Sequence, residues 1–295
     1  MLANPKLFVN LLKITCACLF AGRAWQHLFF NIPLTELLWD QQLMEGMVGL
    51  AGMPWQTWAS SPSVENSMTV FTITLGLFYL LCLVVAARAR KGSKWLAVLP
   101  VASVLLFLLS ALSWKGKGYQ FPQLFEHTAQ FGSPLLLFWA VKGTFGQSRL
   151  LLFAKIAIAI TFTCHGLYAL GFPYPRPGHF VDMTIGILGI GEPAAHSFLF
   201  VAGIMDLLIS IGLFVPALAG PSLLYAVAWG LLTSLARIVA NFDPWLPLPA
   251  LHQWWFQTVL RMPHALLPLL VYMASGYKLP FFHSRKKEKA IAGNQ

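Results

Sequence analysis

The sequence predicts an all-α integral membrane protein with about eight transmembrane helices, arranged as two tandem four-helix bundles. Composition, long apolar runs and an internal similarity predict this class. Only 10% of the 295 residues are charged and 57% are hydrophobic, whereas roughly 25% of the residues in a soluble domain are charged. A soluble fold could not cover its surface with so little charge, but a surface that faces lipid needs none. Because lipid offers backbone groups no hydrogen-bond partner, each crossing must be helical.

Apolar runs of about 20 residues mark the expected crossings. They lie at residues 9–30, 67–87, 95–114, 122–141, 150–171, 197–217, 221–240 and 256–275. Shorter stretches near 36–54 and 179–193 each hold one Asp followed by spaced glycines. Because these two stretches are too short to cross, we expect them to form amphipathic or re-entrant helices on the outer face.

The distribution of basic residues predicts the orientation. If both termini are cytoplasmic, twelve Lys and Arg residues flank the crossings on the inner side and three on the outer side. The inner residues are Lys6, Arg88, Arg90, Lys91, Lys94, Lys142, Arg149, Lys278, Arg285, Lys286, Lys287 and Lys289, and the outer ones are Lys115, Lys117 and Arg176. This bias is typical of a multi-pass protein of the cell inner (plasma) membrane. The formal charge of +10 therefore reflects topology and contact with anionic lipid, and it gives no reason to expect nucleic acid.

An internal similarity predicts two repeats, residues 1–146 and 147–280, followed by a basic cytoplasmic tail at 281–295. The segment Pro134–Ala140 parallels Pro268–Ala274, with four of seven residues identical. Each half is expected to hold one crossing, a long outer loop and three further crossings. An even number of crossings per half keeps both halves in the same orientation, which is a parallel repeat.

Polar and ionisable side chains inside apolar runs indicate a candidate site, because such groups are costly in lipid. Most of them are expected at the same depth, toward the outer face, while Asp206 lies near the middle of the sixth crossing. The candidate ligand-binding residues are Arg23, His27, Glu126, His127, His165, Tyr168, Asp206, Arg237, Arg261 and His264.

Structural roles are the competing interpretation of these residues. Arg23 and Arg261 are close enough to helix ends to extend toward the lipid head groups, and His27 fits a hydrogen-bonded packing residue. Asp206 and Arg237 lie on consecutive crossings and could form a structural ion pair. No spacing indicates a metal site, although a bis-His haem held between helices is compatible with the four histidines His27, His127, His165 and His264.

Three stretches, Ala21–His27, Cys164–Leu170 and Ala202–Leu208, carry a resemblance to the DoxX-like superfamily of small four-helix membrane proteins. The resemblance covers each half once. In the first half, Gly76–Tyr79 stands where the second half has the mid-crossing acid. Members of that superfamily are linked to thiosulfate:quinone oxidoreductase and to other respiratory membrane complexes. The resemblance therefore implies a link to quinone chemistry and electron transport.

We weigh three functions. The first is a quinone-interacting or redox-complex subunit, a membrane oxidoreductase subunit if it is catalytic. A quinone carbonyl would accept hydrogen bonds from Arg261 and His264, or from Arg237, while Asp206 relays a proton. The second is a small-molecule transporter or permease-like protein, and the third is a non-catalytic scaffold. Expected partners are the lipid bilayer and other membrane subunits or a second copy of the chain.

Overall fold

The computed structural model describes residues 5–30 and 32–277, and this part of the chain is helical without strands. The predicted basic tail at 281–295 lies outside the described residues. The helices are α1 (Pro5–Phe29), α2 (Thr35–Leu38), α3 (Gln41–Leu50), α4 (Trp55–Ala59), α5 (Pro62–Ala87), α6 (Val98–Gly116), α7 (Phe121–Phe125), α8 (Thr128–Lys142), α9 (Gln147–Leu170), α10 (Gly178–Leu188), α11 (Glu192–Gly212), α12 (Pro216–Ala240), α13 (Pro247–Val259) and α14 (Pro263–Ala274), and a 3-10 turn at Lys94–Ala97 precedes α6.

Six helices of the described chain, α1, α5, α6, α9, α11 and α12, are long and apolar enough to cross a membrane. Their outward faces are apolar: Val70 and Leu77 on α5 and Leu232 and Val239 on α12 are each more than half exposed. Their inward faces hold buried polar residues, including Ser110. The interior is mainly apolar as well, so it is the apolar outer surface that differs from a soluble protein and matches a protein whose solvent is lipid.

The expected fourth and eighth crossings differ from the other six because each is interrupted. The fourth consists of α7 and α8 with a break at Glu126–His127, and the eighth consists of α13 and α14 with a break between Val259 and Pro263. At about 1.5 Å per residue, α8 and α14 are each shorter than the roughly 30 Å hydrocarbon core. The structure thus has six long uninterrupted helices where the sequence predicts eight.

Hydrogen bonds from side chains to backbone carbonyls explain the first break, and a proline explains the second. The Leu124 carbonyl accepts from Ser110 Oγ and the Phe125 carbonyl from Thr128 Oγ1, both at 2.6 Å. At the second break, Pro263 has no N–H, which ends the preceding helix. These carbonyls accept side-chain hydrogen bonds, so a regular helix is not needed to satisfy them.

The helices pack in two comparable sets. α1 packs most extensively on α5, and α9 on α11, while α6 packs on α8 and α12 on α14. The two sets meet where α8 contacts α9 and α14, and where α1 contacts α13 and α14. The helices α8 and α14 therefore lie where the two sets meet.

Two glycines allow a close crossing of α9 and α11. A Cβ added at Gly203 of α11 would lie 2.8 Å from the Gly166 carbonyl oxygen and 2.8 Å from the Leu170 amide nitrogen. A Cβ added at Gly166 of α9 would lie 2.9 Å from the Gly203 carbonyl oxygen and 3.1 Å from the Asp206 Cβ. The two backbones are thus in contact, and this contact holds Asp206 against α9.

The segments expected on the outer face form short helices, α2 to α4 and α10. The Asp40 side chain accepts from the Leu43 amide (3.0 Å) and thereby caps α3, and it pairs with Lys115 Nζ at 2.6 Å. The Lys115 hydrogen bond holds the pKa of Asp40 below its ordinary value. This ion pair ties the first loop to the end of α6.

Candidate functional site

Nine of the ten candidate residues border one of two neighbouring cavities. Arg23, Glu126, His127 and Tyr168 line a polar cavity, and His165, Asp206 and His264 line an apolar groove. Arg237 and Arg261 line both, as does Phe180. The tenth residue, His27, is 1% exposed, its ring lies 5.0 Å from that of Tyr79, and its Nδ1 bonds to the Arg23 carbonyl at 2.7 Å. It is therefore a packing residue.

The polar cavity has a volume of about 690 Å³ and lies between α1, α7, α9, α12 and α13. Its walls combine amide side chains such as Gln26 and Gln257 with aromatic rings such as Phe30 and Trp254. Glu126 is 8% exposed and accepts from Gln123 Nε2 at 2.7 Å. Glu126 is the one carboxyl group on the described lining.

Four arginines line the polar cavity. Arg176 donates to the Ala169 and Leu170 carbonyls at 2.8 and 3.0 Å. The other three are Arg23 of α1, Arg237 of α12 and Arg261, which lies in the break between α13 and α14. Arg23 Nη1 donates to Gln26 Oε1 at 2.9 Å and its Nη2 to Gln130 Oε1 at 2.6 Å, while Arg237 Nη1 reaches Gln257 Oε1 at 3.4 Å. These partners are neutral amides. Within the described residues, no carboxylate is within ion-pair distance of any of the three arginines.

The apolar groove has a volume of about 410 Å³ and lies between α9, α10, α11 and α12. Side chains such as Phe162, Ile187 and Leu199 form its walls. Exposed residues of α12, among them Leu232, form its rim. Since that rim belongs to the lipid-facing surface, the groove can admit an apolar chain from the bilayer.

Two histidines separate the groove from the polar cavity. The Arg261 carbonyl can only accept, so His264 Nδ1, at 2.8 Å from it, carries a hydrogen. In a neutral ring, His264 Nε2 is then an acceptor, and His165 Nε2 donates to it across 3.4 Å. His165 Nδ1 then faces Glu126 Oε2 at 3.9 Å. Glu126, His165 and His264 thus lie in a row between the two cavities, with a hydrogen bond between the two histidines and a longer approach of 3.9 Å between His165 and Glu126.

Asp206 forms no ion pair with Arg237 in the described chain, so the structural pairing considered from the sequence does not occur. The Asp206 side chain is 3% exposed, and its Oδ1 has no hydrogen-bond partner. The Trp229 side chain provides a hydrogen bond to the carboxyl group. An acid without a cation partner at the end of an apolar groove is available to a ligand.

Several residues of the polar cavity were not among the candidates predicted from the sequence. Gln26, Gln123, Gln257 and Lys117 line it beside the candidate residues. Neutral amides near the ends of apolar runs carry little signal by themselves. Gln26, which directly precedes His27 in the first crossing, is the one that spacing could have indicated.

The described residues contain no group of three or more His, Cys, Asp or Glu side chains arranged to hold a metal ion. His165 and His264 are the closest pair of imidazoles among those considered for haem. Their ring centroids are 5.3 Å apart, at an interplanar angle of 67°. A haem between them would require the rings to separate.

Comparison with protein-family models, curated proteins and solved structures finds no match to this chain.

Proposed function

We propose that the chain crosses the membrane eight times, as two similar halves at residues 1–146 and 147–280. The corresponding helix pairs in the two packed sets support this proposal. If Pro134 is aligned with Pro268, the break at Glu126–His127 falls opposite Leu260 and Arg261. Counting both pieces of each interrupted helix, residues 121–142 and 247–274 are long enough to cross.

An even number of crossings places both termini on one side. We assign that side to the cytoplasm, because most of the basic residues flank crossings there. The bilayer would be an inner membrane. A partner subunit or a second copy of the chain stays a prediction from the sequence.

Within this frame, we propose that the protein is a quinone-interacting subunit of a membrane redox complex and binds the quinone in the apolar groove. The observation that carries the proposal is the polar end of the groove, where Arg237 and Arg261 lie with His165 and His264, while the remaining walls are largely apolar. Ligand sites commonly pair apolar walls with a few convergent polar groups. The resemblance to the DoxX-like superfamily points to the same chemistry.

The groups at this end have distinct roles in the proposal. Arg261 makes no side-chain hydrogen bond within the described chain, so its guanidinium can donate to a quinone carbonyl. His264 Nδ1 is already engaged with a backbone carbonyl, which makes it a weaker candidate donor than Arg261. Asp206 and the pair His165–His264 border the head group and can carry the protons that a quinone exchanges.

Purification of the full chain in mild detergent tests this function. We expect solvent extraction and mass spectrometry to find a quinone, and added quinone to quench tryptophan fluorescence through Trp229. Thr233→Phe adds bulk to the groove and should abolish both signals. Arg88→Gln, an exposed change outside both cavities, should leave them intact. Absence of both signals from the unmodified protein would refute the proposal.

A transporter is the second candidate, favoured by the two helix breaks at corresponding positions. Interrupted crossings in matching places of two repeats are typical of transporter binding sites. A transporter exposes its site alternately to the two sides, whereas a binding subunit keeps one entrance. Labelling of a single cysteine introduced at Gln257 in sealed vesicles distinguishes them: labelling from both sides indicates transport, and labelling from one side excludes it.

A further inference from the structure

The polar cavity carries more positive charge than the protein itself neutralises. Arg23, Arg237 and Arg261 line it together with Arg176 and the exposed Lys117, against the single acid Glu126. The acceptors of Arg23 and Arg237 are uncharged amides, and Arg176 donates to two backbone carbonyls. Nε of Arg23, Arg237 and Arg261 is buried without a partner among the described residues. Buried cations are ordinarily paired, so this arrangement requires a compensating anion.

Two of these arginines are too buried to extend to the lipid head groups, which was the structural role considered for membrane arginines. An arginine that extends to the head groups keeps its guanidinium in water, but Arg23 and Arg237 are 9% and 8% exposed. The backbone amides at the starts of the interrupted helices offer few free hydrogen-bond donors to an anion in the cavity. The Ala129 amide near the start of α8, for example, donates to Thr161 Oγ1 at 2.9 Å. The positive character of the cavity therefore comes from its arginine side chains and Lys117.

The walls of the cavity indicate what accompanies the negative charge. Phe30, Phe180, Trp254 and Phe256 line it beside the arginines, and aromatic walls favour an apolar body. Its volume of about 690 Å³ falls within the range of sites for small organic molecules. A planar guanidinium matches a carboxylate through two parallel hydrogen bonds.

We propose that the polar cavity is a binding site for a small organic carboxylate with an apolar or aromatic body. Arg23 and Arg261 hold the carboxylate from opposite helices, and Arg237 adds charge from α12. The aromatic rings contact the body of the ligand. The site differs from the apolar groove, since Arg23 lines only the polar cavity. Arg261 lines both sites and would be shared by the two ligands, so Arg23 is the residue that tests the carboxylate site separately.

Binding of benzoate to the full chain in zwitterionic nanodiscs, followed by calorimetry, tests the proposal. Benzamide has nearly the same shape without the charge, and inorganic phosphate has the charge without the apolar body. We expect benzoate to bind at least tenfold more tightly than either. Equal binding of benzamide, preferential binding of phosphate, or no binding of benzoate would overturn the proposal.

Variants locate the site. Arg23→Gln should weaken benzoate binding roughly 10- to 100-fold, as expected for loss of a charged hydrogen-bond partner, while quinone content stays unchanged. Arg261→Lys keeps the positive charge but cannot form two parallel hydrogen bonds with a carboxylate, and it removes no side-chain hydrogen bond within the described residues. It should weaken binding roughly tenfold even if Arg23→Gln fails to fold.

Two further variants separate this site from the quinone site. Arg88→Gln removes the same charge far from the cavity and should have no effect on benzoate binding. Thr233→Phe should remove the quinone and preserve benzoate binding. Unchanged benzoate affinity in both arginine variants of the cavity would place the anion elsewhere and refute the assignment.

Discussion

The contact between α9 and α11 makes Gly203→Ala the sharpest structural prediction. The new Cβ would lie 2.8 Å from two backbone atoms, the Gly166 carbonyl oxygen and the Leu170 amide nitrogen. Backbone atoms cannot rotate away as a side chain does, so the helices must separate. Overpacking of this kind costs about 1–3 kcal/mol, and alanine recovers about 1 kcal/mol of helix propensity. Taking the upper end for a rigid neighbour, we expect a net loss of about 2 kcal/mol.

Gly132→Ala is the matched control, since it makes the same chemical change within helix α8. Its Cβ would meet only the Ala157 Cβ, at 3.7 Å, which is an ordinary contact. This variant should be neutral or more stable by up to about 1 kcal/mol. The free energy of unfolding is measured by titration with SDS in mixed micelles, followed by circular dichroism. Equal stability of the two alanine variants would refute the proposed close contact.

Three other predictions concern single polar groups. The stability that Asp40 gains from Lys115 is present above the ordinary carboxyl pKa and is lost as the pH falls through the lowered pKa of Asp40 in the folded protein. The melting temperature of Asp40→Asn should therefore match that of the unmodified protein only in acid. A difference in melting temperature that does not change with pH would contradict this. Asp206→Asn loses no ion pair, so its unfolding free energy should change by less than about 1 kcal/mol, and failure to fold would indicate a hidden partner. Lys155 Nζ donates to the Leu213 carbonyl at the end of α11 (3.0 Å), so Lys155→Met should cost about 1 kcal/mol in SDS titration, and no loss would argue against this cap.

Much of the candidate site could be predicted because the membrane makes polar groups conspicuous. In an apolar run, residues such as Arg23, Glu126 and Asp206 are costly unless something compensates for them. Their type and position therefore carry information that a surface charge in a soluble protein lacks. The sequence did not indicate their division between two cavities. That division depends on which helix faces approach one another, and periodicity along one helix does not determine the neighbour of each face.

The sequence by itself determined the helical class and the positions of the apolar segments, since hydrophobic length is a local property of the chain. The tertiary structure decided where the fourth segment breaks, and it contributes to the break in the eighth segment, which Pro263 also favours. Ser110, on another helix, donates a hydrogen bond to the Leu124 carbonyl at the first break. At the second break, Ser234 Oγ lies 3.3 Å from the Arg261 carbonyl. Tertiary packing also left Asp206 without a cation. The helix breaks and the environment of Asp206 depend on distances between residues that are far apart in the chain. The length of an apolar segment carries no information about those distances.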